Sequence, residues 1–434
     1  MRVVLILLLF NIVANSTSAQ EVQHQFDQHI QLLCSDSLAG RGYVENGDKK
    51  TAQYIKSQFQ LHNIVPVKNT YFQPFELWVN VFDSNAVSFS TSKNISSFTA
   101  GDGLKERVHS FNTGYDYIIK SCSKPIEGKF QVQELDHHFF THKKSIRKFL
   151  KDKYFLSQKE NTALLYDQKN LKASLPSELI RKIRSYPVLI EKTNTPLLSV
   201  SSSQNCQPTI VISDSSANRL MNYAYVKIQP KLIRYQTQNI IGMIEGKEKR
   251  DSFLIVCAHY DHLGKQGSAI FRGANDNASG VAAMLTLATH FSKPENKPRY
   301  SMLFIAFGAE EAGLVGSQYY VESPLVPLQN TKFVLNLDLL GSGSQGITVV
   351  NGTEYPILYD RLCSSKKDSM DIKKRTPAPN SDHYPFYLKG VPSFFIYARG
   401  KVGGYHHVND VPKKLEQNQF ENLYNLLTTF LRKF

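Results

Sequence analysis

The sequence predicts an α/β fold in which a mostly parallel central sheet is covered by helices and a β-rich unit is inserted. Three observations carry this. Beyond residue 236 the chain alternates apolar runs of strand length with helical stretches, and strands covered on both faces read as such continuous runs. Each run is followed by His, Asp or Glu, at the strand ends where open α/β sheets place their reactive crevice. Between 76 and 232 the character changes to alternating strands with many Ser, Asn and Lys and no clustered ligand types.

The chain opens with MRVVLILLLFNIVANSTSAQ, one Arg, an apolar run and a small-residue end, which predicts a secretory signal over 1–19 cleaved near Ala19. The run is too short to span a bilayer, and no later stretch reaches the roughly 18 apolar residues needed, so an exported protein without a membrane span is expected. Residues 20–75 form the first part of the α/β domain. Within them SDSLAGRG, with Gly40 and Gly42, reads as a turn rather than a helix, and 46–62 places Ala52, Ile55 and Phe59 on one helical face. The unit 76–232 follows, with strands such as YDYIIKS and TALLYD. From 233 to 434 the order is FLIVCAHY (253–260), a helix at 278–291, SMLFIAFG (301–308), a helix near 313–322, KFVLNLDLLG (332–341), SFFIYAR (393–399) and a final helix at 415–433.

Composition limits the function classes. The net charge of +14 is spread thinly, with KKSIRKFLKDK (143–153) the densest basic run and no interleaved aromatics, which reads as a solvated surface with no nucleic-acid partner. Five cysteines in an exported chain leave at least one free thiol. Cys257 falls inside an apolar strand as a core residue, Cys122 and Cys206 share one region and could pair, and no CxxC spacing marks a zinc or redox site.

The strand ends hold the chemistry. The first ends in His259-Tyr-Asp261-His262, and RGANDNASG then brings Asp276 to the start of a helix. The second ends in AFGAEEAG with Glu310 and Glu311, the third carries Asp338, and GGYHHVND after the fourth supplies His406 and His407. Singly each has a plain structural reading: Asp276 as an N-cap, the two glutamates as a solvated helix start. Asp338 resists one, because a carboxylate inside an apolar run needs a partner or a cation. Together, two histidines and three carboxylates suit a pair of Zn²⁺ ions sharing one carboxylate, with a further Glu free to move a proton. Asp261, two residues past His259, is placed to accept the second imidazole N–H and fix its tautomer.

AHYDHLG, GANDNASGVAAML, FGAEEAGLVGS, NLDLLG, SDHYPF and YHHVND, in this order, resemble the co-catalytic di-zinc aminopeptidase family, a clan that also holds glutaminyl cyclases, glutamate carboxypeptidase and the transferrin receptor. The resemblance covers 233–434, and SDSLAGRG extends it toward the N-terminus. It implies a zinc-exopeptidase fold, with 76–232 as a protease-associated-like insertion, and two Zn²⁺ per chain. His259 and Asp338 would complete one zinc, Glu311 and His406 the other, with Asp276 bridging. Glu310 would be the general base acting on a water shared by the ions, Tyr405 would steady the oxyanion, and Asp382 would stand behind the ligands with Asp261. Where the family reads Tyr-His-Thr-Pro this chain reads YHHV, so His407 stands as a rival to His406, and His262 as a lesser rival to His259. The implied activity is removal of N-terminal residues from peptides with a free N-terminus. The alternatives are a single-zinc glutaminyl cyclase, another exopeptidase such as a dipeptidase or carboxypeptidase, and a non-catalytic receptor-type protein.

Overall fold

The structure is a computed structural model describing residues 20–90, 108–151, 159–171, 174–220, 222–367, 369–416 and 420–434. The signal segment expected over 1–19 lies outside them. Among the described residues no helix is long and apolar enough to cross a membrane.

Four parallel strands form the centre, in the spatial order Ser393–Ala398, Thr331–Leu337, Lys249–His259, Tyr300–Phe307. Antiparallel strands flank them, Ile347–Val350 on one side and Tyr223–Ile244 on the other. The apolar runs become strands because side chains on both faces of the sheet can be buried. On one face Leu254, Val256 and Leu335 pack with the helices Gly47–Leu61, Ser279–Ser292 and Phe420–Leu431. On the other, Ile255, Cys257 and Val334 pack with Tyr320 of helix Val315–Glu322 and Phe386 of helix His383–Leu388. The mostly parallel sheet covered by helices is the fold expected.

The segment expected as an inserted unit, 76–232, differs from its expected form. Strands Phe72–Ser90 and Tyr223–Ile244 pair antiparallel from Phe72 opposite Ile240 to Ser90 opposite Tyr223, so the expected boundaries at 76 and 232 fall inside continuous strands. Beyond them Ile126–Leu135, Thr162–Asp167, Val188–Thr193 and Thr209–Ser213 run parallel, and helices such as Lys143–Lys151 and Ser177–Ile183 accompany them, so the unit is α/β as well as β-rich. Cys122 and Cys206 form a disulfide, while Cys34, Cys257 and Cys363 are free.

Three local expectations are corrected. SDSLAGRG is a short 3-10 stretch, Asp36–Arg41, broken by left-handed Ala39 and Gly40, rather than an open turn. The described final helix begins at Phe420, because Pro412–Lys414 forms its own 3-10 turn. Asp338 is the first residue past its strand, which ends at Leu337; this takes its carboxylate out of the apolar layer and into the crevice.

Candidate metal centre

The crevice lies beyond the carboxyl ends of the parallel strands. His259 closes the first strand, and Asp338 follows the neighbouring one. Asp276 sits in the turn Ala274–Ala278, with extended φ/ψ of −112° and 95°, so it does not cap the helix that starts at Ser279. Glu310 and Glu311 follow Ala309, whose φ of 57° turns the chain sharply at the end of strand Tyr300–Phe307. His406 also holds a left-handed φ of 54°, and its carbonyl accepts the Leu198 amide of the inserted unit at 3.0 Å.

These turns bring five donors together. His259 Nε2 stands 3.3 Å from Asp276 Oδ1 and 3.4 Å from Asp338 Oδ1. His406 Nε2 stands 3.3 Å from Asp276 Oδ2 and 3.1 Å from Glu311 Oε2. Asp276 therefore turns one oxygen to each imidazole. His259, Asp276 and Asp338 are buried, and Asp276 Oδ2 and Asp338 Oδ1 have no hydrogen-bond partner among the described residues. A buried carboxylate oxygen left unpaired is costly, and a cation between these groups satisfies it. Nitrogen and carboxylate donors without sulfur suit Zn²⁺.

Electrostatics points the same way. Against the pull of burial, Glu310, Asp338 and Asp276 hold the His259 imidazole well above its usual range. Against burial, the Asp276 and Glu311 carboxylates lift His406 to about 10, and the His262 and His406 imidazoles bring Glu311 down to about 2. Asp276 is likewise held well below the carboxylate range, against burial, by His259 and His406. Glu310 is pushed well above its ordinary value, first by burial and then by Asp382, Glu311 and Asp338. The crevice is thus short of positive charge. Tyr405 is half exposed, its ring stacked on His406 at 3.9 Å, and burial with the nearby carboxylates raises its phenol.

The supporting groups depart from expectation. His259 Nδ1 meets the main-chain carbonyl of Asp261 at 3.1 Å, while the Asp261 carboxylate is 4.0 Å away. That carboxylate instead accepts the amides of Glu310 (3.1 Å) and Glu311 (3.4 Å), so Asp261 orients the glutamate turn; the tight bend after His259 is what brings its carbonyl back under the ring. Burial lifts Asp261 to about 7 and Asp382, fully buried beside the centre, to about 6. His407 accepts the Asn409 amide on Nδ1 at 3.1 Å and takes part in none of the described ion pairs, so the structure turns His406 and not His407 to the carboxylates.

The roles of four supporting groups escaped the sequence reading. Ser381 donates to Asp338 Oδ2 at 2.8 Å and accepts from Asn336. Asp410 accepts the amides of Asn275 (2.9 Å) and Asp276 (3.0 Å), steadying the turn that carries Asp276. Arg41 is fully buried and donates to the carbonyls of Leu33, Tyr260, Arg272, Gly273 and Asp276. His262 Nδ1 donates to Glu311 Oε1 at 2.7 Å. All four lie within the quoted motifs, Ser381 in SDHYPF, Asp410 in YHHVND, Arg41 in SDSLAGRG and His262 in AHYDHLG, but the motifs do not show these contacts.

Residues 239–431 match the model of Peptidase family M28. That segment is similar to peptidase family M28, as the ordered motifs implied. Among curated proteins, aminopeptidase YwaD of Bacillus subtilis is 29% identical over 235 residues, covering 51% of this chain and 50% of that protein. A vacuolar membrane protease of Kluyveromyces lactis is 29% identical over 230 residues, covering 50% of this chain and 24% of its own length. The chain thus spans about half the length, or less, of the curated relatives it matches. A solved zinc aminopeptidase from Bacillus subtilis superimposes with a TM-score of 0.65 over 95% of both chains at 20% identity, and an aminopeptidase from Aneurinibacillus with 0.60 over 95% and 93% at 18%, which shows a shared fold.

Proposed function

We propose that this chain is an exported metallo-aminopeptidase that holds two zinc ions and removes N-terminal residues from peptides. The observation that carries it is Asp276, whose two oxygens face two different imidazoles, each accompanied by its own second carboxylate. His259 and Asp338 would hold one ion, Glu311 and His406 the other, with Asp276 between. Zinc bound there supplies Lewis acidity toward a carbonyl oxygen and toward water.

The remaining chemistry belongs to side chains. Glu310 accepts the proton of the attacking water and returns it to the departing amine; burial and the neighbouring Asp382, Glu311 and Asp338 raise its affinity for protons. Its turn is held by Asp261 through the Glu310 amide. The Tyr405 hydroxyl, on a ring stacked against His406, donates to the carbonyl oxygen as charge develops. The carboxylates of the crevice attract the α-ammonium group of a peptide N-terminus. Export is supported by the N-terminal apolar segment and by the Cys122–Cys206 disulfide, a bond that persists in oxidising compartments.

The test is hydrolysis of aminoacyl substrates and short peptides with free or blocked N-termini, with and without chelator. Cleavage confined to free N-termini and abolished by chelation is expected. Cleavage of blocked or internal bonds contradicts aminopeptidase action, and indifference to chelator contradicts the metal.

A further inference from the structure

His262 touches the ligand set without completing it. We infer that His262 is a positioning residue that fixes Glu311 as a one-oxygen zinc ligand, and is not itself a ligand; this rests on the two-zinc reading above.

Distances separate the two roles. Two donors on a tetrahedral zinc at ~2.0–2.1 Å stand roughly 3.3 Å apart. The four donor pairs around Asp276 lie at 3.3, 3.4, 3.3 and 3.1 Å. His262 Nδ1 and Glu311 Oε1 are only 2.7 Å apart, too close for neighbours on one ion and in the range of a charge-assisted hydrogen bond. Oε1 is thereby occupied, and Oε2 is left facing His406 Nε2.

The imidazole is built in place. His262 is fully buried, and its amide donates to the Arg41 carbonyl at 3.2 Å. Its ring lies against Gly273, where a Cβ would come within 2.4 Å of His262 Cδ2 and where φ is +56°, so no other residue fits without displacing the ring. Nε2 is buried with no hydrogen-bond partner among the described residues. An ionised carboxylate only accepts, which places a proton on Nδ1, toward Glu311. Outer groups that orient ligands typically contribute 10–100-fold to metal affinity.

The experiment is zinc titration of the metal-free full chain, comparing wild type, His262→Ala and His262→Asn. The asparagine amide nitrogen takes the place of Nδ1 as a donor to Oε1. His262→Ala is expected to keep the first zinc and bind the second about 10–100-fold more weakly. His262→Asn is expected to recover most of that loss and, loaded with Co²⁺, to keep the visible spectrum of the wild type. Unchanged second-zinc affinity in His262→Ala, or His262→Asn binding no tighter than His262→Ala, overturns the inference. A wild type that takes up no second equivalent sinks the two-zinc reading itself, and that result is visible before any variant is compared.

Discussion

Arg41→Met replaces a guanidinium with an apolar stem of similar length in a fully buried site. The guanidinium serves five carbonyls, with Tyr260 and Gly273 at 2.9 Å and Leu33 and Asp276 at 3.2 Å, besides Arg272. The Gly273 carbonyl keeps the Ala278 amide at 3.0 Å, and the Arg272 carbonyl keeps only a Cys34 thiol at 3.7 Å. Four carbonyls therefore lose their main donor, and at ~1–3 kcal/mol for each buried unsatisfied group the loss is at least about 4 kcal/mol. At ~2.1 cal/mol/K per residue, over a chain of 434 residues, that corresponds to a drop of about 4 °C or more in Tm. The damage falls on the segments that carry His259 and Asp276, so zinc affinity should decline with stability. Calorimetry of the metal-free protein and a zinc titration check both. A variant melting within about 2 °C of wild type with unaltered zinc affinity would refute the role given to Arg41.

Further outcomes follow from the same geometry. Glu310→Gln should retain both zinc ions while turnover falls by about 10²–10⁴, and a metal-loaded variant with normal turnover removes Glu310 as the base. Thiol titration should find one reactive cysteine in the native protein, Cys363, because Cys34 and Cys257 are buried; three should react after denaturation and five after reduction. Five before reduction would contradict the disulfide. Burial lowers His383 to about 3, so the unfolded chain takes up its proton first on acidification, and this group's contribution to stability is present above pH 6.5 and lost below it. His383→Phe removes that term: between pH 6.5 and 5, urea denaturation should show the variant gaining about 2 kcal/mol on wild type. A constant difference across that range contradicts a buried neutral imidazole.

The parts legible in the sequence are those governed by local pattern. Runs such as FLIVCAHY declared parallel strands, and the crevice rule then put His259, Asp276, Glu310, Glu311, Asp338 and His406 in one place; the model of Peptidase family M28 and the sheet topology agree with that fold. What stayed hidden depends on contacts distant in sequence. Nothing local to Arg41 announces that carbonyls more than 200 residues away will surround it. The partner of His259 Nδ1 was misread because the pattern specifies a residue, Asp261, but not whether its side chain or its carbonyl turns inward. The continuity of Tyr223–Ile244 through an expected boundary reflects pairing with Phe72–Ser90, which no single segment shows. His407 and His262 could be sorted from the ligands only by distance.

The central claim is that Asp276 stands between two cations. Crystals of the zinc-loaded protein, measured at the zinc absorption edge, should show two anomalous peaks ~3.5–4 Å apart, one against His259 and Asp338 and the other against Glu311 and His406, both beside Asp276. A single peak, or a second one held by His407 or lying outside the crevice, would contradict the account.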